Sequence, residues 1–365
     1  MSSTLTTAAG TGTSEQPWLS SPAFDSALII APAFVTSLVV IFFRSSLEGA
    51  ESLPLWAWVA FVLMVDVAHV YATLYRTYLS SQAREKNGLL LTLIPVLCFV
   101  TGCLIYSLKG IYFWRVLAYL AVFHFIRQQY GFVALYRRKD QTKTLLWLDG
   151  AAVYMATIYP LVYWHCHMPR NFNWFVEGDF LSGLPALIEP LCLAVYVAVM
   201  TAYIAREITT KIRSGYLNIP KNLLIAGTAL SWWVGIIATD SDLAFTMTNV
   251  ISHGIPYMAL VWLYHGKTRE EGRAPLTLVR NIALSYIPAF LLLLILLAYL
   301  EEGLWDGLVW REHLSFFGAF ASLPEIRDGF LLSILVPLLS LPQSTHYVLD
   351  GFIWRVKERS NIWSA

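Results

Sequence analysis

Charge is what this sequence has least of. Lys, Arg, Asp and Glu make up 13% of its 365 residues, about half the share found in ordinary soluble domains. The mean hydropathy is +0.58 and 57% of the residues are apolar. A water-soluble domain of this length has too little interior to hide so much apolar surface. Cysteine is scarce as well. Cys98, Cys103 and Cys192 lie in apolar runs and Cys166 stands alone in a loop, which excludes a disulfide framework and a CxxC metal site. The net charge of +1 excludes a generally basic, nucleic-acid-binding surface. Residues 1–24 contain no Lys or Arg, so they lack the charged start of a signal peptide. Their Ser, Thr, Gly and Ala content predicts a disordered tail. An internal repeat of the transporter kind, a haem-attachment motif and the HxxHH boxes of desaturases are also missing.

What is present is a series of apolar runs approaching the roughly 20 residues that a helix needs to cross a bilayer. They do not alternate as the strands of a membrane β-barrel would. The expected fold is therefore all-α, a polytopic integral membrane bundle in which residues 25–365 form one transmembrane domain. About ten spans are expected, over 27–43, 55–75, 89–108, 111–136, 145–164, 186–204, 223–239, 243–265, 282–300 and 329–354. Of the 25 Lys and Arg, 18 follow even-numbered spans, from Arg76, Arg84 and Lys86 to Arg355, Lys357 and Arg359. The positive-inside rule then puts both termini in the cytoplasm. The aromatic-rich segments 165–185 and 301–328 fall on the other side, at headgroup level.

Four of the eight histidines, His69, His124, His253 and His346, lie well inside spans. Ionisable groups at that depth are costly and normally face protein, where they serve a function. All four are on even-numbered spans, which run in the same direction. They precede the next basic anchor by roughly 10 to 21 Å at 1.5 Å per residue. Each has polar company at helical spacing: Asp66 three before His69, Gln128 four after His124, Tyr257 four after His253, and Asp350 four after His346. A metal-bound imidazole usually gives its other N–H to such a partner. Four neutral imidazoles without thiolates suit iron, copper, zinc or nickel. The aromatic walls favour Fe(II) working with dioxygen on a lipophilic substrate. Histidines serving only as hydrogen-bond partners between helices, a haem slot, a two-metal lipid hydroxylase or desaturase, and proton-coupled transport are the competing readings. Asn249, one turn before His253, is expected to line the same cavity, and His165 and His167 form a weak HxH pair outside it.

The order of these motifs resembles a known group. Asp66-Val67-Ala68-His69 comes first, then Phe123-His124-Phe125, then Val250-Ile251-Ser252-His253. The last is Thr345-His346-Tyr347-Val348-Leu349-Asp350 with Arg355 closing the helix. This is similar to the Brp/Blh family of bacterial membrane-integral β-carotene 15,15′-dioxygenases. The resemblance implies a polytopic helical protein of a bacterial inner membrane, with a His-bound non-haem iron that cleaves a carotenoid. It implies His69, His124 and His253 as ligands, the fourth being absent or supplied by His346. The chain departs from the family in two motifs: the acid precedes His69 instead of following it, and Tyr257 stands where the family has a second histidine. It is also longer by roughly two spans.

Overall fold

The structure, a computed structural model, describes residues 16–47, 53–138, 140, 145–267 and 275–354. In chain order its helices are α1 (Pro22–Phe42), α2 (Leu55–Arg76), α3 (Ser81–Leu108), α4 (Gly110–Arg137), α5 (Trp147–Cys166), α6 (Ile188–Ser214), α7 (Ile219–Ala238), α8 (Asp242–Lys267), α9 (Pro275–Ser285), α10 (Ile287–Trp310), α11 (Gly329–Leu339) and α12 (Leu341–Ile353). No strand occurs among the described residues. Six helices, α1, α2, α3, α6, α7 and α10, are long and apolar enough to cross a membrane. Lys139, Lys143, Arg269, Arg273, Arg355, Lys357 and Arg359 lie outside the described residues.

Local chemistry sets the helix ends. Ser21, Ser80, Asn218 and Asp328 each accept a backbone N–H of the first turn of α1, α3, α7 and α11. Gly215, at φ 70°, stops α6 in the left-handed conformation that glycine adopts without strain. Two expected spans are interrupted. Pro288 offers no N–H to Leu284, and Tyr286 turns to extended backbone between α9 and α10. Pro342 does the same to Leu338, and the chain bends at Ser340 between α11 and α12. Of the expected tail, residues 1–15 lie outside the described residues. The described remainder is packed against the bundle, because Gln16 bonds both to the Leu217 carbonyl (3.0 Å) and to the Ile219 N–H (2.8 Å).

Apolar surface faces outward. Only 6% of the apolar stretch of α6 and 17% of that of α3 is buried within the chain, so the apolar faces of these helices are left to be covered from outside the chain. The polar groups are inside, as expected where the solvent is hydrocarbon. The helices that carry the intramembrane histidines pack together: α12 against α2, α3 and α4, and α8 against α1, α2, α4 and α7.

A buried ionic cluster ties α5, α6 and α7 together. Asp149 of α5 pairs with Arg206 of α6 and, at 3.2 Å, with Lys221 of α7. Lys221 also meets Glu207 at 3.1 Å and Asp140 at 3.3 Å. Asn222 donates to Glu207 (2.6 Å) and accepts from Tyr203 (2.8 Å). Removing one partner from such a cluster strands the opposite charges. Asp149→Ala is expected to cost about 3–5 kcal/mol, measured by unfolding in mixed micelles. A loss below about 1 kcal/mol, the range of exposed pairs, would contradict this account of the cluster.

Candidate metal centre

Four helices contribute one histidine each: His69 from α2, His124 from α4, His253 from α8 and His346 from α12. Their convergence depends on two local features of α8. Gly254 lets α8 close on α2, since a Cβ there would meet Val65 Cγ1 at 2.7 Å and the Val65 carbonyl at 3.1 Å. Pro256 leaves the Ser252 carbonyl without its helical donor. Gln129 of α4 supplies one through Nε2 at 3.3 Å, and the adjacent Gln128 donates to the His253 carbonyl at 2.8 Å. The proline's lost bond is thus remade between helices, fixing α4 against α8 beside both of their histidines.

The four rings form a closed quadrilateral. Centroids lie 4.8 Å apart for His69–His253, 5.1 Å for His69–His346, 4.9 Å for His124–His253 and 4.4 Å for His124–His346. One ring nitrogen from each lies within 4.8 Å of the others. Two nitrogens on opposite sides of a single ion at ~2.1 Å would be about 4.2 Å apart, so one cation fits between them. All four side chains are buried, at 1 to 3% exposure. Nε2 of His69, His124, His253 and His346 has no hydrogen-bond partner among the described residues, and neither has Nδ1 of His253.

The remaining contacts define which nitrogen is free. His69 Nδ1 lies 3.2 Å from the Val65 carbonyl, which can only accept, so Nδ1 carries the proton and Nε2 keeps its lone pair. For His346 the assignment runs through a relay. Tyr257 donates to Asp350 Oδ1 (2.7 Å), Thr73 Oγ1 donates to the Tyr257 oxygen (2.8 Å), and His346 Nδ1 donates to Thr73 (2.6 Å). Asp350 also stands 3.8 Å from His124 Nδ1 and 3.9 Å from His346 Nδ1. His253 stacks on Phe125, with centroids 3.6 Å apart and planes 7° from parallel. The donor set is nitrogen only, and it suits iron, copper, zinc or nickel better than magnesium or calcium.

Of the neighbours expected from spacing, Asp350 and Tyr257 belong to the relay and Gln128 braces α8. Asp66 is 3.8 Å from His69 Nδ1, beyond hydrogen-bond reach, while the Val65 carbonyl takes that bond. Thr73 and Gly254 were not singled out in the sequence as parts of the site. Thr73 lies four residues after His69, so the same helical spacing that pointed to the other neighbours could have found it. His165 and His167 stay apart from the cluster. Both nitrogens of His165 are bonded, to the Leu161 carbonyl (2.7 Å) and Tyr119 (2.7 Å), and His167 bonds the Tyr163 carbonyl at 2.9 Å.

A cavity of about 640 Å³ leads from the cluster between α4, α8 and α12. His124, Gln128, Tyr257 and Asp350 line its inner end, Phe123, Leu135 and Leu260 give it apolar walls, and Arg127, Arg137, Arg138 and Asp140 are charged lining. Phe123 is 57% exposed on the outer surface of α4, so the cavity borders the apolar exterior. No family model, no curated protein and no solved structure matches this chain.

The close approach at Gly254 carries a testable consequence. Gly254→Ala is expected to cost about 1–3 kcal/mol by overpacking against Val65. Gly131→Ala, where a Cβ meets nothing within 4 Å, should be neutral or gain up to about 1 kcal/mol. Equal unfolding midpoints for the two variants in detergent would contradict this view of the α2–α8 contact.

Proposed function

We propose that this chain is a membrane-embedded non-haem iron oxygenase acting on a lipophilic substrate drawn from the bilayer. The observation that carries the reading is a ring of four buried imidazoles, one nitrogen of each within 4.8 Å of the others and every Nε2 without a partner among the described residues, beside a cavity with apolar walls. In this reading α4, α5, α8 and the α11–α12 pair cross the membrane together with the six apolar helices. That makes ten spans with both termini in the cytoplasm, supported by the excess of Lys and Arg after alternate spans. The resemblance to the Brp/Blh family favours a bacterial inner membrane and a carotenoid or related isoprenoid as substrate.

His69, His124, His253 and His346 would hold the ion as neutral ligands. Iron, when bound, supplies dioxygen chemistry at positions the four nitrogens leave open. The protein does the rest. The relay from His346 through Thr73 and Tyr257 to Asp350 holds that imidazole in one tautomer and orientation. Phe125 and Tyr347 wall the centre, keeping water from it. The cavity has the size of small-ligand sites, about 300–1,000 Å³, and its apolar walls suit a hydrocarbon chain. Gln128 Oε1 lacks a partner among the described residues and is free to accept a hydrogen bond from a substrate hydroxyl. Arg127, bonded to Tyr154 at 2.9 Å, anchors α4. Four nitrogens without a bridging carboxylate favour one metal over the two of a carboxylate-rich hydroxylase or desaturase centre.

Metal analysis by mass spectrometry of the tag-free chain tests the proposal. About one iron per chain is expected, lost in His124→Ala. Thr73→Val, which removes the acceptor for His346 Nδ1, should weaken metal binding by about 10–100-fold. Full metal content in all four single His→Ala variants would contradict the reading. So would the absence of any transition metal after anaerobic reconstitution, and pH-driven solute uptake by that metal-free protein would point to a proton-coupled transporter.

A further inference from the structure

A second cavity, of about 800 Å³, lies on the opposite side of the histidine ring. On each histidine helix its lining residues come before or beside the histidine: Val62 and Asp66 on α2, Trp114 and Phe125 on α4, Asn249 on α8, Gln343 on α12. The first cavity draws instead on residues that follow, such as Tyr257 and Leu260 on α8 and Asp350 on α12. The two cavities therefore approach the ring from opposite ends of the bundle.

Their chemistry differs. The second cavity is lined by Glu177, Asp242, Glu302, Asp306, Glu312 and Asp66, and by no Lys or Arg among the described residues. By chain position, Glu177 and Glu312 are exposed in the loops, Asp242 opens α8, Glu302 and Asp306 lie near the end of α10, and Asp66 lies one helical turn before His69. Asp66 keeps 35% of its side chain accessible while the next two residues of α2 are 3% and 1% exposed. Two buried oxygens lining the cavity lack partners. Asp306, 3% exposed, accepts the Glu312 and His313 N–H groups at 2.8 and 2.7 Å on Oδ1, and its Oδ2 has no partner among the described residues. Asn249, 2% exposed, donates through Nδ2 to the Phe245 carbonyl at 3.1 Å, and its Oδ1 is likewise unpartnered.

Packing alone does not account for a buried path of one charge sign with acceptors to spare. The repulsion along such a path is relieved by protonation or by a cation that enters it, and clefts lined by one sign raise counter-ion arrival rates by about 10–1,000-fold. Oxygen ligands hold iron-type divalent ions less firmly than imidazole does, so a carboxylate ladder passes such an ion toward a nitrogen ring without trapping it. We propose that this cavity is the loading vestibule of the four-histidine centre: Glu177 and Glu312 gather a divalent cation at the rim, Asp242, Glu302 and Asp306 draw it inward, and Asp66 delivers it to His69. The proposal rests on the four histidines binding a metal, as set out above.

The test follows loading rate, not activity. Metal-free full-length protein in detergent is mixed anaerobically with Co(II), and the visible absorption of the bound ion is recorded by stopped flow. Asp242→Asn/Glu302→Gln is expected to load about tenfold or more slowly than the wild type, with the same final cobalt content. Glu177→Gln/Glu312→Gln, confined to exposed loop residues that leave folding intact, should load about threefold more slowly. Glu325→Gln removes an acid from the same loop region outside the cavity and should load at the wild-type rate. Wild-type rates in both vestibule variants would overturn the proposal, and so would equal slowing in Glu325→Gln, which would assign the effect to general surface charge. Cobalt that never binds the wild type would overturn the metal centre itself, and the vestibule with it.

Discussion

Four imidazoles are held together in a bundle interior with their Nε2 atoms unpaired, and the surrounding structure is arranged to bear that cost. A buried polar atom without a partner costs about 1–3 kcal/mol, and here five ring nitrogens carry that penalty. Other polar groups of the same helices are bonded. The Ser252 carbonyl freed by Pro256 is bonded by Gln129, the His69 Nδ1 proton goes to Val65, and the His346 Nδ1 proton passes into a relay ending on Asp350. A cation shared by the free nitrogens would offset the deficit where it is concentrated. Proteins that only lock helices together with histidines have no need to leave Nε2 of four rings unbonded with one nitrogen of each within 4.8 Å of the others.

The two cavities divide the labour suggested by this centre. One has apolar walls with arginines among its lining, borders the apolar exterior at Phe123 and reaches His124. The other is acidic, opens among the loops and ends at Asp66 beside His69. In the proposed function, separate cavities would let a lipophilic substrate and an ion approach the same four histidines from opposite ends of the bundle. The ionic cluster of Asp149, Arg206, Glu207 and Lys221 binds α5, α6 and α7 and touches the first cavity only through Asp140.

Much of this was legible in the sequence. Low charge and long apolar runs pointed to an all-helical membrane bundle, and the depth of His69, His124, His253 and His346 pointed to one layer. Spacing also picked out Tyr257 and Asp350, which share one hydrogen-bonded relay, because a helix brings residues four apart onto one face. What could not be read was set by contacts between helices. Asp66 is at the right spacing for His69, yet the nearer Val65 carbonyl takes the bond. Thr73 and Gln129 become meaningful only when α12 and α8 stand opposite them. The breaks at Tyr286 and Ser340 were signalled by Pro288 and Pro342, but prolines inside membrane helices are often accommodated without a break, so only the folded chain decides between the two.

The most direct test is X-ray absorption at the iron edge of the anaerobically loaded protein, where imidazole rings scatter with a characteristic outer-shell pattern. The account predicts a nitrogen-rich shell near ~2.1 Å with outer-shell scattering from about four imidazoles, and no short iron–iron distance. A shell dominated by oxygen or sulfur, or one with a single imidazole, would contradict it.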